Sequence, residues 1–286
     1  MELQTISVQG SGVWNEDALI VHKAAQLYGV ADGATSLLPF RGPGGETGGR
    51  MASQLLKSYF EGIGPEDERN LEQLLREANR LLGVEMVESG IQVDEKDQLW
   101  TSGAAIVRIR EHYIEYVQSG DCMIMAAYAD GSIRTVTRDH VAHIDQEAKM
   151  IWKQAVHRGI QSRDELWELV KPLIVQNKAR MNTDHGYSVL NGRPEAEHFI
   201  EYGKINRIQL TGLLLHTDGL YYPEEENGDG AIPAREMLMK KIADSGLEAY
   251  AEWLIGTEND DPECIRYPRF KKSDDKSGIY VSRMNE

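Results

Sequence analysis

Cysteine is scarce in this chain, with only Cys122 and Cys264 among its 286 residues. The two residues lie far apart, and neither belongs to a CxxC pair. A disulfide framework needs several cysteines at short spacings, and a structural zinc site needs clustered cysteine and histidine ligands. The sequence therefore indicates neither kind of site, and we expect both side chains to be buried thiols.

Long apolar runs are also missing. No stretch approaches the roughly 20 apolar residues that a helix needs to cross a bilayer. The N-terminal segment MELQTISVQG lacks the basic start, the apolar stretch and the small-residue cleavage site of an export signal. These absences predict a soluble protein located in the cytoplasm, without a membrane partner.

Positive charge is the third shortage, because 31 Lys and Arg residues face 46 Asp and Glu residues and the formal net charge is −15. Nucleic-acid-binding proteins gather Lys and Arg to neutralise phosphates, so we expect no nucleic-acid partner. The same acidic balance repels phosphoesters, and any phosphate chemistry would need local cations. Bound metal ions supply such charge best, which makes the carboxylates the candidate functional residues.

Hydrophobic patterns predict a mixed α+β fold. Runs rich in branched and apolar residues predict strands at 3–8, 18–21, 27–31, 100–108, 113–118, 122–128, 133–136, 208–216 and 278–282. Helical spacing predicts helices at 46–60, 67–88, 233–244 and 247–256, and a helical stretch at 146–180 that looks like an insertion. The strands from 100 to 136 have hairpin spacing and predict one antiparallel meander. Strands on both sides of helical segments favour a sandwich.

Acidic residues recur where a predicted strand meets a turn. They are Glu16 and Asp17, Asp32 before Gly33, Asp121 after Gly120, Asp218 before Gly219, and the pair Asp274 and Asp275. Asp-Gly is also ordinary turn chemistry, which would account for any one of these sites alone. Mg²⁺ and Mn²⁺ prefer carboxylate, carbonyl and water oxygens, and strand ends can converge at one edge of a sandwich. The set as a whole therefore indicates a binuclear metal site.

The motifs around these carboxylates resemble those of a known family. In order they are NEDA (15–18), GVADG (29–33), a GG pair followed by a further G and then by AS (within 44–53), SGD (119–121), TDGL (217–220) and SDDKS (273–277). This series resembles the metal-dependent protein phosphatases of type 2C over essentially the whole chain. The resemblance implies a single domain over 1–286 that forms a four-layer α/β/β/α sandwich, two antiparallel sheets flanked by helices. It also implies a helical flap-like insertion at about 145–205, where substrate selection would reside.

The resemblance also implies a role for each acidic residue. Asp32 would bridge two Mg²⁺ or Mn²⁺ ions. The Gly33 carbonyl would bind one of these ions, and Asp218 and Asp274 would hold the other. Glu16 and Asp17 would orient metal-bound water or touch an ion, and Asp121 would help to hold a third ion. Asp275 would be a turn or supporting residue. The implied reaction is hydrolysis of phosphoserine or phosphothreonine on proteins by a metal-activated water, with Asp17, Asp32 and Asp218 as the catalytic residues.

Three positions depart from the family pattern. Gly12 stands where many members have an Arg that grips the substrate phosphate, Ala34 replaces a proposed general acid, and Tyr222 replaces a second acid of the third metal site. The loop at 35–45 carries Arg41, which we predict as a replacement phosphate-binding residue, although it could equally be an exposed loop cation. His140 and His143 are better explained as surface or satisfied histidines than as metal ligands.

Two further functions stay open on this sequence. Gly12 and Ala34 favour a pseudo-phosphatase, a regulatory or phospho-binding module with weak turnover, whereas the complete set Asp32, Asp218 and Asp274 opposes it. The same departures would also suit a metal-dependent phosphoesterase that acts on a small molecule.

Overall fold

The computed structural model describes residues 1–34, 38–225 and 233–284, which form ten strands and six α-helices. The strands are β1 (Glu2–Val8), β2 (Asp17–His22), β3 (Leu27–Ala34), β4 (Thr101–Ile109), β5 (Tyr113–Ser119), β6 (Met123–Tyr128), β7 (Ile133–Thr135), β8 (Glu201–Asn206), β9 (Leu210–His216) and β10 (Lys276–Ser282). The helices are α1 (Gly48–Glu61), α2 (Leu71–Glu88), α3 (Ala142–His157), α4 (Arg163–Lys178), α5 (Ala234–Ser245) and α6 (Leu247–Asn259).

The strands form two five-stranded antiparallel sheets. The first sheet has the order β1-β10-β9-β6-β7, and the second has the order β2-β3-β4-β5-β8. Helices α5 and α6 pack on the outer face of the first sheet, and α1 and α2 pack on the outer face of the second. The predicted α/β/β/α sandwich is therefore confirmed.

Side chains along each strand point alternately to the two faces of the sheet, and this divides the apolar residues between a central core and two outer cores. In β9, Leu213 and Leu215 face the space between the sheets, whereas Leu214 faces α5 and α6. In β4, Val107 points to the same central core and Ile106 points to α1 and α2. Successive side chains of a strand point to opposite faces, so a central strand covered on both faces is apolar at nearly every position.

The predicted meander from 100 to 136 is wrong. β4 pairs with β5 and β6 pairs with β7, but these two hairpins belong to different sheets. The chain crosses between the sheets at Gly120, whose φ of +84° lies in the left-handed region that glycine tolerates. Hairpin spacing also fits this crossing, and spacing alone could not separate the two arrangements.

The predicted helical stretch at 146–180 consists of two helices, α3 and α4, separated at Gly159, whose φ is +96°. The edge strand β8 was not predicted, because Ile205 is its only buried residue and the other five positions are exposed or partly buried. The pair α3–α4 packs on the segment before β10, where Trp152 Nε1 donates a hydrogen bond of 3.0 Å to the Cys264 carbonyl.

Cys122 and Cys264 are both buried free thiols. Among the described residues, no helix combines the length and the apolar character required to span a bilayer.

A buried ion pair anchors the segment that precedes β10. Lys276 is fully buried, and its Nζ lies 2.9 Å from Glu258 Oε2 on α6. The same ammonium donates hydrogen bonds of 2.9 Å to Ser273 Oγ and to the Asp274 carbonyl. Glu258 and Lys276 thus tie helix α6 to the loop that carries Asp274.

Replacement of Lys276 by Met should destabilise the protein by roughly 3 kcal/mol, because the Glu258 carboxylate would remain buried without its cation. Urea denaturation measures the loss. The double variant Lys276→Met/Glu258→Leu removes both charges and should recover most of the stability. Equal stability of the single variant and the unsubstituted protein would contradict this account.

Candidate metal centre

Antiparallel pairing brings acidic residues from distant segments to one end of the sandwich. Asp17 begins β2 and pairs directly with Asp32 near the end of β3. Asp218 follows the end of β9, and Asp274 precedes the start of its neighbour β10. The end of one strand and the start of its antiparallel neighbour lie at the same edge of a sheet. Each sheet therefore contributes two of the predicted metal-binding aspartates to this end.

Hydrogen bonds join the two sheets at this edge. Thr217 Oγ1 donates to Asp17 Oδ2 at 2.8 Å and accepts the Ser277 N–H at 3.0 Å. The carboxyl groups of Asp218 and Asp32 come from different sheets and interact electrostatically, because burial and then the charges of Asp17 and Asp218 raise the pKa of Asp32. A divalent cation bound by both groups would relieve this repulsion.

Glycine allows α1 to approach the end of β3. A Cβ at Gly33 would lie 2.1 Å from the carbonyl oxygen of Gly49, in the first turn of α1. Thr47 caps this helix by accepting the Arg50 N–H, and its hydroxyl donates to Glu16 Oε1. The Gly33 N–H donates to the Glu16 carbonyl at 3.1 Å. The predicted ligand Gly33 and the side chain of Glu16 are thus both fixed by the start of α1.

Asp121 joins the cluster from the crossing between the sheets. Ligand atoms of Asp121, Asp32 and Cys122 lie within 4.8 Å of one another. Gly103 on β4 leaves the space, because a Cβ there would lie 3.2 Å from Asp121 Oδ1. The Tyr221 hydroxyl donates to the Asp121 carbonyl at 2.8 Å, so the loop after β9 holds the backbone of this residue.

Asp275 has a different environment from Asp274. Its two carboxylate oxygens accept the N–H groups of Gly10 and Glu16, each at 2.7 Å. Asp275 therefore fixes the backbone before β2, as expected of a supporting residue. Asp274 Oδ1 instead lies 2.7 Å from Lys271 Nζ.

Burial and mutual repulsion shift the acidity of the cluster. Burial is the main cause that raises the pKa of Asp17 and of Asp32 well above the usual range, and neighbouring aspartates add to both shifts. The pKa of Asp121 is raised for the same reasons, with Asp218 as the strongest neighbour. Burial, followed by the charge of Asp274, raises the pKa of Asp218 to about 6.

These groups fit a site for divalent metal ions. Buried carboxylates that repel one another gain most when a cation neutralises them, and hard cations prefer such oxygen ligands. Lys271 supplies part of the charge. Partial burial lowers its pKa, but Asp274 and Asp218 raise it by more, so the pKa lies above the ordinary value.

The other predicted residues lie in different surroundings. Residues 35–37 of the 35–45 loop lie outside the described residues. Arg41 is exposed, and its Nη1 donates to the Phe40 carbonyl at 2.9 Å. Tyr222 stacks on Trp253, with ring centroids 5.3 Å apart, and offers no carboxylate. Gly12 and Ala34 are exposed.

His140 belongs to a hydrogen-bonded chain outside the aspartate cluster. Its Nδ1 lies 2.5 Å from Ser188 Oγ, and its Nε2 lies 3.2 Å from Glu201 Oε2. Ser188 Oγ also accepts the Gly120 N–H at 2.9 Å. These contacts describe a histidine with satisfied polar atoms that helps to hold the residue before Asp121.

Sequence reasoning missed three residues that shape the cluster: Thr47, Thr217 and Lys271. Thr47 had a local signal, because a Thr before a predicted helix is a preferred N-cap. Thr217 and Lys271 are next to or near the acidic motifs in TDG and KKSDD, but adjacency does not reveal which way a side chain points.

A sequence model of the family described as protein phosphatase 2C matches residues 7–254. No curated protein sequence matches the chain. The chain is similar in fold to the Mycobacterium tuberculosis serine/threonine phosphatase PstP/Ppp, with 16% identity, a TM-score of 0.57 and coverage of 98% of this chain and 97% of the other. For the Staphylococcus aureus phosphatase Stp1 the identity is 16%, the TM-score 0.54 and the coverage 98% and 94%.

A further similar structure is the catalytic domain of PstP in complex with two manganese ions. Its identity to this chain is 15%, its TM-score is 0.56, and the match covers 98% of this chain and 97% of that domain. At these identities the structural matches show a shared fold.

The raised pKa of Asp218 predicts a crossover in the stability of an Asp218→Asn variant. A folded pKa of about 6, above the ordinary 3.8, means that Asp218 favours the folded state at low pH and loses that contribution as pH rises through about 6. In metal-free protein, the variant should therefore gain stability relative to the unsubstituted chain between about pH 5 and pH 8.

Urea denaturation at both pH values measures the difference in free energy of unfolding between the two proteins. Other titrating groups such as His216 are present in both proteins, so their contributions cancel in this difference. Excess Mn²⁺ should reverse the order at pH 8, because only the unsubstituted chain keeps the full set of ligands. If the metal-free variant is less stable than the unsubstituted chain at pH 8, the raised pKa of Asp218 is refuted.

Proposed function

Because the chain belongs to the protein phosphatase 2C family, we propose that it hydrolyses phosphoserine and phosphothreonine on proteins with the help of divalent metal ions. The family and the similar structures support a protein-serine/threonine phosphatase as the enzyme class. The observation that carries the proposal is the convergence of Asp17, Asp32 and Asp218 at one end of the sandwich. These carboxylates are buried or partly buried and have raised pKa values.

The proposed ligands follow from this cluster. Asp32, Asp218, Asp274 and the Gly33 carbonyl would hold two Mg²⁺ or Mn²⁺ ions, and Asp121 would take part in binding a third. When bound, the ions would activate a water molecule for attack and neutralise charge on the phosphoryl oxygens. The two manganese ions of PstP support the choice of a divalent metal.

The chain's own contribution is to fix the carboxylates. Thr217 holds Asp17 through its hydroxyl, and Thr47 holds the side chain of Glu16. Asp275 holds the backbone of Glu16 through an N–H contact of 2.7 Å. Preorganised groups of this kind need little rearrangement when a ligand binds. They would therefore hold metal ions and substrate in a fixed relative position.

The substrate class follows from the family, and the insertion is the proposed place of selection. Within one domain, α3 and α4 pack on the segment that contains Cys264 and Phe270, just before the acidic loop. A phosphoprotein bound at the metal centre would lie beside this pair of helices. The cytoplasmic location and a role in signalling stay predictions.

An Asp218→Asn variant should lose more than about a hundredfold of the metal-dependent hydrolysis, since even supporting residues of metal sites cost 10–100-fold. Release of phosphate from a phosphothreonine peptide, with added Mn²⁺ or with chelator, measures the effect. Asp244→Asn, an exposed position on α5, is the matched control and should keep full activity.

A folded, Mn²⁺-loaded chain without turnover would favour a regulatory, phospho-binding module. Faster hydrolysis of a nucleotide or sugar phosphate than of the phosphopeptide would favour a small-molecule phosphoesterase.

A further inference from the structure

The acidic centre needs a cation to receive a phosphate group. A phosphate monoester carries negative charge, and both the whole chain, at −15, and the aspartate cluster repel it. Metal ions held by the carboxylates would supply part of the positive charge that the phosphate needs. A cationic side chain at the edge of the cluster would add positive charge and hydrogen-bond donors for the phosphate oxygens.

Lys271 occupies such a position. Its ammonium lies 2.7 Å from Asp274 Oδ1 and also faces the charges of Asp218 and Asp32. Its side chain is 56% exposed, so the group is open to a ligand that enters from solvent. A lysine ammonium carries three donors on a flexible stem, which lets it turn from a carboxylate to a phosphate oxygen.

We propose that Lys271 binds the phosphate group of the substrate, and this inference rests on the phosphatase function proposed above. The group recognised is a phosphate monoester dianion. The ion pair with Asp274 holds the ammonium beside the cluster, and substrate phosphate replaces that carboxylate as its partner once metal ions occupy the aspartates.

Three other cations among the described residues have different partners. Lys276 is buried against Glu258, and Arg50 donates to the Asn15 carbonyl at 2.7 Å while it stacks on the Trp14 ring. The segment 10–12, which lies against the Asp274 loop, is Gly-Ser-Gly and carries no charge. Arg41 contacts its own loop, as described above.

The loop that carries Lys271 is held on both sides. Arg269 donates to Asp261 Oδ2 at 2.8 Å and to the Glu258 carbonyl at 2.9 Å. Ser273 accepts the Ser11 N–H through its carbonyl at 2.9 Å. A fixed backbone reduces the entropy lost when the lysine orders on a ligand. Lys272 instead lines a cleft of about 600 Å³ with Ser11 and Arg163.

Lys272 therefore provides a matched control with the same charge one residue away. The test compares Lys271→Met, Lys271→Arg and Lys272→Met with the unsubstituted chain. Calorimetry of Mn²⁺-loaded protein with inorganic phosphate measures phosphate binding without turnover. Calorimetry with Mn²⁺ alone measures metal binding, and p-nitrophenyl phosphate kinetics separate KM from kcat.

Lys271→Met should weaken phosphate binding and raise KM about tenfold, the loss expected for one charge-assisted hydrogen bond. Its kcat should stay within about threefold, because the contact exists before and during the reaction. Its Mn²⁺ affinity should stay equal or rise, because the ammonium no longer competes for Asp274. Lys271→Arg should restore part of the phosphate affinity, and Lys272→Met should behave like the unsubstituted chain.

Three results would overturn the proposal. Phosphate affinity unchanged in Lys271→Met would show that the ammonium does not bind phosphate. An equal loss in Lys272→Met would indicate general electrostatics, and a joint loss of phosphate and Mn²⁺ binding in Lys271→Met would indicate a structural role. Absent turnover in the unsubstituted chain would instead refute the phosphatase function, while the phosphate titration would still decide the role of Lys271.

Discussion

Repulsion between carboxylates that the fold forces together is the constraint on which the rest of this structure depends. Asp17, Asp32, Asp121 and Asp218 are drawn to one end of the sandwich, and burial raises the pKa of each. Like charges in a poorly solvated place disfavour folding unless protons or cations neutralise them. The protein therefore keeps this arrangement at a cost in stability that a bound divalent ion would offset.

The surrounding structure holds the acidic side chains in place. Three apolar cores supply the cohesion of the sandwich, and the central one reaches the acidic end through Cys122, next to Asp121. Polar contacts then fix individual groups: Thr217 holds Asp17, Thr47 holds Glu16, and the pair Lys276–Glu258 anchors the loop of Asp274. Binding groups on rigid elements are held more accurately than groups on free loops. Lys271, exposed at the rim, is the part of this framework that remains able to change partner.

Local signals in the sequence predicted much of this architecture. Hydrophobic periodicity identified nine of the strand segments and the major helices, and the acidic residues next to glycine marked the strand ends that converge. Assignment of strands to sheets could not be read in the same way, because β5 and β6 are consecutive in sequence yet belong to different sheets. The edge strand β8 buries one apolar side chain, Ile205, which is too few to give a periodic pattern. Thr217 and Lys271 act through the direction of their side chains, which only the three-dimensional structure defines.

The most direct test of the account is a titration of metal-free protein with Mn²⁺ in which bound ions and phosphate release from a phosphothreonine peptide are followed in the same samples. At least two ions should bind per chain, and turnover should rise only as the second is bound. Turnover in the absence of divalent metal, or a folded chain that binds no Mn²⁺, would contradict the account.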